Sequence, residues 1–494
     1  MASIKHFLKD FLIYSLANWA SKILGFILIP LYTRIFTPGD YGMLDLLLTS
    51  GLFLTALLDL GLNDALTRFF SAAADEGEQK RYVATVFWVK ILLYLPVLTI
   101  LMAFAGTFSM VLFHQRAQQA LVVWALIAVL TSGLWLYFLA LYRLRFRALA
   151  YSLFSVAYLA LTLLLTIYFV VVRRSGVLGV YQAKVLTDVT LLAALLWNNR
   201  RFLGKPDFAC LRPLLQFGLP LIPAAFVYTA LEYLDRYFIQ VYWGVTAVGI
   251  YSVGRKLATL LTLVTSGFDT VWAPFLYAVH TQPDGAAVIR QIFKGFALLT
   301  LLLAFGIGLF ARELLAVFTT AAYLAAAPVI PIVVFALVIY ATTVRFCVGI
   351  GISKKTHYHL WGGFVATGAN FSLNWLLIPK FGISGAAWAT LLSHALYGAY
   401  VMVISQRLYP VNYGLKRFAL LLLIFMGCSW EAARWQELGF WLAAAKVGIF
   451  LAVGGGLPLL VGFIHVHELV GWHGQAKTYF QRRRQIRRLK ISDF

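Results

Sequence analysis

Lys22, Arg68, Arg236, Arg255 and Lys256 lie inside long apolar stretches of this chain, and so do Asp45, Asp59, Glu232 and Asp235. An ionised group at such a depth costs about 2.5–3.5 kcal/mol on insertion scales, so charges kept there are expected to have partners or work. The densest set falls between Pro213 and Phe275, where two apolar runs meet near Gly244–Gly249. Lys22 has no acidic residue within four positions, so pairing along its own helix cannot neutralise it. Arg255 and Lys256 are adjacent, about 100° apart on a helix, so at least one can turn toward a neighbouring bundle. Two chemistries fit these cations. One is binding of a phosphate-bearing anion, with Lys as a compact charge and Arg as a bidentate fork; the other is ion pairing between helices. The spacing-four pairs Glu232/Arg236, Asp64/Arg68 and Lys184/Asp188 suit structural pairing. Arg68, Lys90 and Arg345 are expected to snorkel to an interface. Asp45, Asp59, Asp235 and Asp269 are candidates for cation or proton coupling, or for caps and internal hydrogen bonds.

Covalent catalysis is not indicated, because there is neither a carboxylate pair of catalytic type nor a His/Arg-rich outer loop. Cys210, Cys347 and Cys428 are too dispersed for a disulfide framework or a zinc site and read as packing residues. His465, His467 and His473 beside Glu468 have metal-ligand chemistry, but neither a metal nor a cofactor is expected.

The elements that must position these charges follow from composition. With 62% hydrophobic and 12% charged residues in 494, the chain is an all-α polytopic membrane protein, since continuous apolar runs of about 20 residues exclude alternating barrel strands. About fourteen apolar segments are expected, from 11–33 through 440–464. Met1–Asp10 reads as a basic leader into the first span rather than a cleavable signal. With both termini cytoplasmic, roughly 25 of the 41 Lys and Arg lie inside, about 7 outside and about 9 within spans. Loops are short, the longest outer one being Gly106–Gln118. The basic tail, 466–494, is expected to meet anionic lipid headgroups.

Landmarks also recur. Gly42 matches Gly249, Gly61 matches Gly267, and GVLGVYQAKVLTDV from Gly176 matches GISGAAWATLLSHA from Gly382. Two copies of a six-helix unit are therefore expected, 1–205 and 206–410, related by a pseudo-twofold axis along the membrane normal, with two further helices in 411–465. Pro30 in the first segment and Pro220 and Pro223 in the seventh are expected hinges. Most aromatics, 16% of residues, should face lipid or form belts, Trp124, Trp135 and Trp472 among them.

The pieces LYTRIFTPGDYGMLDLL, LLDLGLNDALTRFF, FGLPLIPAAF, LDRYFI, AVGIYSVGRKLA and ANFSLNWLLIPKFGISGAAWAT, in that order, resemble the polysaccharide/oligosaccharide lipid flippases of the multidrug/oligosaccharidyl-lipid/polysaccharide exporter superfamily. The resemblance implies a V-shaped pair of six-helix lobes whose central cavity opens alternately to each side. It implies an undecaprenyl-pyrophosphate-linked glycan as substrate, carried across the bacterial cytoplasmic (inner) membrane. The two extra C-terminal helices are similar to those that form a lipid-tail groove in some relatives.

On this reading Lys22, Arg255, Lys256, Arg236 and Arg68 contact the substrate, and Glu232, Asp59, Asp235 and Asp45 serve ion coupling or structural pairing. The expected partners are the lipid-linked glycan, membrane lipids and polysaccharide assembly proteins, with no nucleic acid, and the protein acts as a monomer. The competing readings are a cation-coupled multidrug exporter of the same superfamily, which would favour an acidic cavity, and an integral-membrane glycan polymerase or ligase.

Overall fold

The structure is a computed structural model that describes residues 25–464 except 436 and 438. Lys22, the N-terminal leader, the histidines at 465, 467 and 473, Trp472 and the basic tail lie outside the described residues. The described chain is helical and contains ten helices long and apolar enough to cross a membrane, with one shorter apolar helix, α1 (Gly25–Ile35).

Thr37 and Asp40 cap each other at the start of α2 (Pro38–Leu58), and Pro38 occupies the first turn, where its missing N–H costs nothing. The second segment is not continuous, since Leu60 and Gly61 take positive φ and the helix resumes as α3 (Leu62–Ala72). After α4 (Glu76–Ala103) the expected outer loop is a short helix, α5 (Ala105–Phe113), a correction to the loop reading. There follow α6 (Gln119–Leu144), α7 (Ala148–Thr166) and α8 (Gly176–Asn199).

The seventh segment begins as α9 (Leu211–Gly218), tightens to a 3₁₀ turn at Leu219–Leu221, and continues as α10 (Ile222–Tyr233) into α11 (Asp235–Ala258). Pro220 and Pro223 stand at that turn, as ring sterics require. In α11 the chain reverses at Gly244, which has φ +79°. The reversal is evident because Tyr251 hydrogen-bonds Asp235, sixteen residues earlier, a separation of roughly 24 Å along a straight helix.

Next come α12 (Leu261–Val279), α13 (Gly285–Leu309), α14 (Ala311–Phe318), α15 (Val329–Phe346) and α16 (Val348–Ile352). The 52-residue α17 (His357–Leu408) reverses likewise at Gly382, so that a Cβ on Gly385 would overlap the Leu377 carbonyl. Finally α18 (Leu415–Arg434), α19 (Phe440–Ile449) and α20 (Leu457–Leu460) close the described chain. With both reversals counted, every described apolar segment of the sequence has a helix.

Gly176 and Gly382, 206 residues apart, both turn the chain with positive φ, +59° and +56°. At the α2–α11 contact the backbones touch: a Cβ on Gly42 would overlap the Val245 carbonyl, and one on Gly249 the Pro38 carbonyl. Val245 stands 207 residues after Pro38 and Gly249 stands 207 after Gly42, so the two contacts exchange under one offset.

Phe36, Tyr41, Phe113 and Val177 share one hydrophobic core with Val248, Phe305 and Phe335 of the second half. At the other end of the helices the first half has its own core, with Leu66, Phe138, Leu195 and Phe202, and α9 joins it from the second half through Leu214, with Leu215 and Phe217 packed alongside. The halves are thus packed together at the end carrying the Thr37 and Gly244 turns and, α9 apart, packed separately at the opposite end.

Candidate functional site

The charges of the second segment and of the seventh and eighth meet where the two halves touch. Arg236 Nε donates to Asp45 Oδ2 at 3.0 Å across the halves, and Nη1 donates to Asp235 Oδ1 at 2.8 Å and to the Glu232 carbonyl oxygen at 2.8 Å. Ser252 Oγ donates to the same Asp45 oxygen at 2.6 Å. Ser252 also stands 207 residues after Asp45, so here a position meets its own repeat equivalent. Arg255 Nη2 reaches Glu232 Oε1 at 2.5 Å, and its Nη1 lies 3.7 Å from Asp235 Oδ2. Tyr251 donates to Asp235.

The hairpin at Gly244 makes this possible by laying Glu232–Arg236 beside Tyr251–Arg255. Asp235, Arg236 and Arg255 are buried, with 3%, 5% and 4% of their side-chain surface exposed. Three carboxylates therefore enclose two guanidiniums, and Arg236 and Arg255 are both ion-paired within the protein in this state, although Arg255 Nη1 is buried with no hydrogen-bond partner among the described residues. Of the two chemistries open to them, ion pairing is the one they make here. Glu232 gives Arg236 only its backbone carbonyl and gives its carboxylate to Arg255, a departure from the expected spacing-four pair.

Lys256 is different. It turns away from Arg255, is exposed, and makes no ion pair among the described residues. Its ammonium lies 3.9 Å from where a Cβ on Gly25 would stand, so it abuts the first helix close to Lys22 in sequence. It lines a cavity of about 240 Å³ with Asp45, Lys184, Tyr158 and Thr162. An apolar cavity of about 370 Å³ lies nearby, with Leu54, Phe108 and Leu126 in its wall, and the Ser50–Tyr237 hydroxyl contact at 2.8 Å spans the halves beside it.

The remaining charges are placed individually. Asp59 caps α2 and binds Lys90, which is 2% exposed beneath the rings of Tyr94 and Tyr137. Arg345 pairs with Asp269 at 2.8 Å and stacks 3.9 Å from the Phe296 ring centre. Neither Lys90 nor Arg345 snorkels, contrary to the sequence expectation, because each finds a carboxylate and an aromatic face inside the bundle. Arg68 is exposed and lies over Phe217 rather than against Asp64. Lys184 pairs with Asp188 at 3.8 Å, as spacing suggested. Trp135 is 3% exposed and stacked on Tyr158, so it faces the core and not lipid.

Outside the spans, partial burial and then Arg147 and Arg201 hold the Arg145 guanidinium below its usual value, a sign of crowded cations at the separately packed end. Pro30 lies within α1. Tyr251, Ser252 and the Lys446–Glu313 pair were not singled out from sequence. For the first two a signal existed, because they precede Arg255 by four and three residues and so share its helix face.

The sequence matches the model of a family described as polysaccharide biosynthesis protein over residues 7–280. No curated protein matches it. Among solved structures, the lipid II flippase MurJ in an inward closed conformation superposes with a TM-score of 0.72 at 13% identity, covering 91% of this chain and 98% of that one. An inward-facing multidrug resistance MATE family transporter of the MOP superfamily gives 0.59 at 15% identity, covering 83% and 95%. At such identities the likeness is one of fold.

Proposed function

We propose, from the premise that the chain belongs to the polysaccharide biosynthesis protein family, that it flips an undecaprenyl-pyrophosphate-linked oligosaccharide or polysaccharide repeat unit across the bacterial cytoplasmic membrane. The reading is of a transporter without covalent chemistry, with lobes 1–205 and 206–410 rocking about the contact between α2 and α11. The exchange of the Gly42–Val245 and Pro38–Gly249 contacts under one offset supports that axis. Termini on the cytoplasmic side would place the joined end outward and the separately packed end, rich in arginine, toward the cytoplasm.

The observation that carries the substrate class is Lys256, a mid-span cation exposed to the interlobe cavity and without a carboxylate of its own among the described residues. A diphosphate offsets the desolvation of such an ammonium, which lipid cannot. Lys22, close to it in sequence terms through Gly25, is assigned the same role. Arg236 and Arg255 act conditionally. When the joined end parts, Arg236 and Ser252 both lose Asp45, and a diphosphate on the axis can replace that carboxylate on Arg236 bidentately.

The test is translocation of a fluorescent undecaprenyl-pyrophosphate-linked oligosaccharide by the purified protein in vesicles, read by quenching from one side. Lys256→Ala is expected to cut the rate about tenfold or more, the worth of a charge-assisted contact, with Lys256→Arg milder. An unchanged rate in Lys256→Ala rejects the assignment. A second reading has an observation of its own: Asp45, Asp235 and Glu232 outnumber Arg236 and Arg255, which suits a cation exporter. Proton- or sodium-driven efflux of an organic cation from the same vesicles, with no glycolipid movement, would favour it.

A further inference from the structure

The turn between α6 and α7 carries a strain that packing does not explain. The Arg147 N–H donates to the Tyr142 carbonyl oxygen at 2.8 Å and the Phe146 N–H donates to that of Arg143 at 3.1 Å, a helix ending that needs a left-handed residue, usually glycine, where Phe146 stands. Phe146 takes φ +52° there, an unfavourable conformation for a bulky side chain. The ring gains no packing in return, since it is 84% exposed. Strain of this kind persists where it serves a function. The second half has the same turn 208 residues later, with Lys355 donating to Ile350 and Lys354 to Gly351, both at 3.2 Å, and Lys354 at φ +55°. That turn carries no aromatic ring, and Ser353 stands where the first half has Arg145.

The charges around Phe146 are of one sign. Arg143, Arg145 and Arg147 of this turn meet Arg200 and Arg201 at the end of α8: Arg145 Nη1 reaches Asn199 Oδ1 at 3.5 Å, and Arg147 and Arg201 are the charges that act on Arg145 most strongly. None of the five makes an ion pair among the described residues. The C-terminal dipoles of α6 and α8 supply about half a negative charge each, which leaves most of the five positive charges unbalanced. The apolar groups beside them are exposed. Trp197 lies under the Arg200 guanidinium, 4.5 Å from ring centre to carbon, and Leu149 and Leu153 are exposed on one face of α7. Tyr158 and Thr162, which line the cavity between the halves, follow these leucines by nine residues each, about 180° round the helix. The leucine face therefore looks away from that cavity and into hydrocarbon.

We propose that the α6–α7 turn and the end of α8 form a docking site for an anionic phospholipid of the surrounding bilayer, with Arg145, Arg147 and Arg201 on its phosphates and Phe146 and Trp197 against the start of its acyl chains. Guanidiniums take phosphate oxygens bidentately, and a basic pocket at the rim of membrane-spanning helices suits a headgroup of the cardiolipin type. Five unbalanced cations favour its two phosphates over the single one of phosphatidylglycerol. The exposed rings fix the depth, because aromatic side chains settle at headgroup level with their apolar bodies toward the chains. A soluble anion would leave the rings and the leucine face unused, whereas a phospholipid covers both. The site stands on the outer surface of the first half, so it does not depend on the proposed transport.

The experiment is native mass spectrometry of the full-length protein in detergent, titrated with cardiolipin, phosphatidylglycerol or phosphatidylcholine. Wild type should bind cardiolipin most tightly and phosphatidylcholine least. An arginine at a charged membrane surface is worth about fivefold in affinity, so Arg147→Gln with Arg201→Gln should weaken cardiolipin binding roughly twentyfold. Lys354→Gln with Lys355→Gln, at the repeat-related turn, should leave it intact. All four side chains are exposed, so both variants are expected to fold. Equal weakening in the two variants would mean a general attraction to basic surface and overturns the site. Wild-type affinity in the arginine variant overturns it too, as does equal affinity for cardiolipin and phosphatidylcholine. Phe146→Gly tests the ring: relief of the left-handed strain should raise the thermal midpoint without lipid while cardiolipin binding weakens a few fold. A lowered midpoint with unchanged binding would show a ring kept for the fold and overturns its part in the site.

Discussion

At the scale of single residues, the Asp45–Arg236 contact decides how the charges inside the membrane are to be understood. Arg236 is also held by Asp235, so removing Asp45 leaves it one carboxylate, whereas removing Arg236 deprives two carboxylates of their nearest guanidinium and leaves Asp45 with Ser252 alone. Breaking a buried pair from one side costs about 3–5 kcal/mol, and the partner left uncompensated bears most of that cost. Arg236→Leu should therefore destabilise the protein more than Asp45→Asn, and the double variant should recover part of the loss. Thermal unfolding of the four proteins in detergent checks this, and strict additivity would mean that the contact does not couple the halves. Sequence reasoning found every member of this cluster except Tyr251 and Ser252. What it lacked was partner choice: Glu232 is four residues from Arg236 and twenty-three from Arg255, and a helical rule prefers the nearer. The hairpin at Gly244 reverses that preference by bringing Arg255 alongside.

At the scale of elements, close backbone approach at glycine is what lets α2 and α11 form an interface. A leucine at Gly249 would drive its Cβ into the Pro38 carbonyl, and no flexible side chain stands there to yield. Overpacking of this kind costs typically 1–3 kcal/mol, here charged to one conformation rather than to the fold. Gly249→Leu is expected to insert and fold yet to leave the joined end apart, with glycolipid flipping lost and thiol access to a cysteine placed at Ser252 increased. Retained protection of that cysteine would contradict it. The seventh segment invites a second test. Its α9 packs with the first half while α10 belongs to the second, and Pro220 and Pro223 sit at the turn between them. Pro220→Ala together with Pro223→Ala should straighten this turn and slow flipping several-fold with insertion intact, and an unchanged rate would remove the hinge. The prolines were legible as breaks because their sterics are local. That α9 would side with the other half was not, because this depends on Gly218 meeting Leu60 and Gly61 in space.

At the scale of the whole molecule, the question is whether the joined end must open. Composition sufficed for the fold class, because lipid leaves a chain of this hydropathy few alternatives. The state was not legible, because the same contacts serve either conformation and only their distribution between the two ends distinguishes them. Gly39 and Thr246 face each other across the halves at the joined end, where a Cβ on Gly39 would stand 3.5 Å from Thr246 Oγ1. Neither the α2 residue nor its partner lies at a positive φ, so cysteines can be placed at both without backbone strain. With sulfur standing where Thr246 Oγ1 stands, the pair is close enough for a disulfide, whose Cβ atoms lie about 3.5–4.5 Å apart. The native Cys210, Cys347 and Cys428 are all free thiols elsewhere in the chain. In a background where they are replaced by serine, the pair Gly39→Cys and Thr246→Cys should cross-link on mild oxidation and stop glycolipid flipping, with the rate returning on reduction. The single cysteines should show neither effect. If the cross-link forms quantitatively and flipping continues, the joined end does not open during transport, and the substrate must then leave by a lateral route between helices of one half rather than through a rocking pair of lobes.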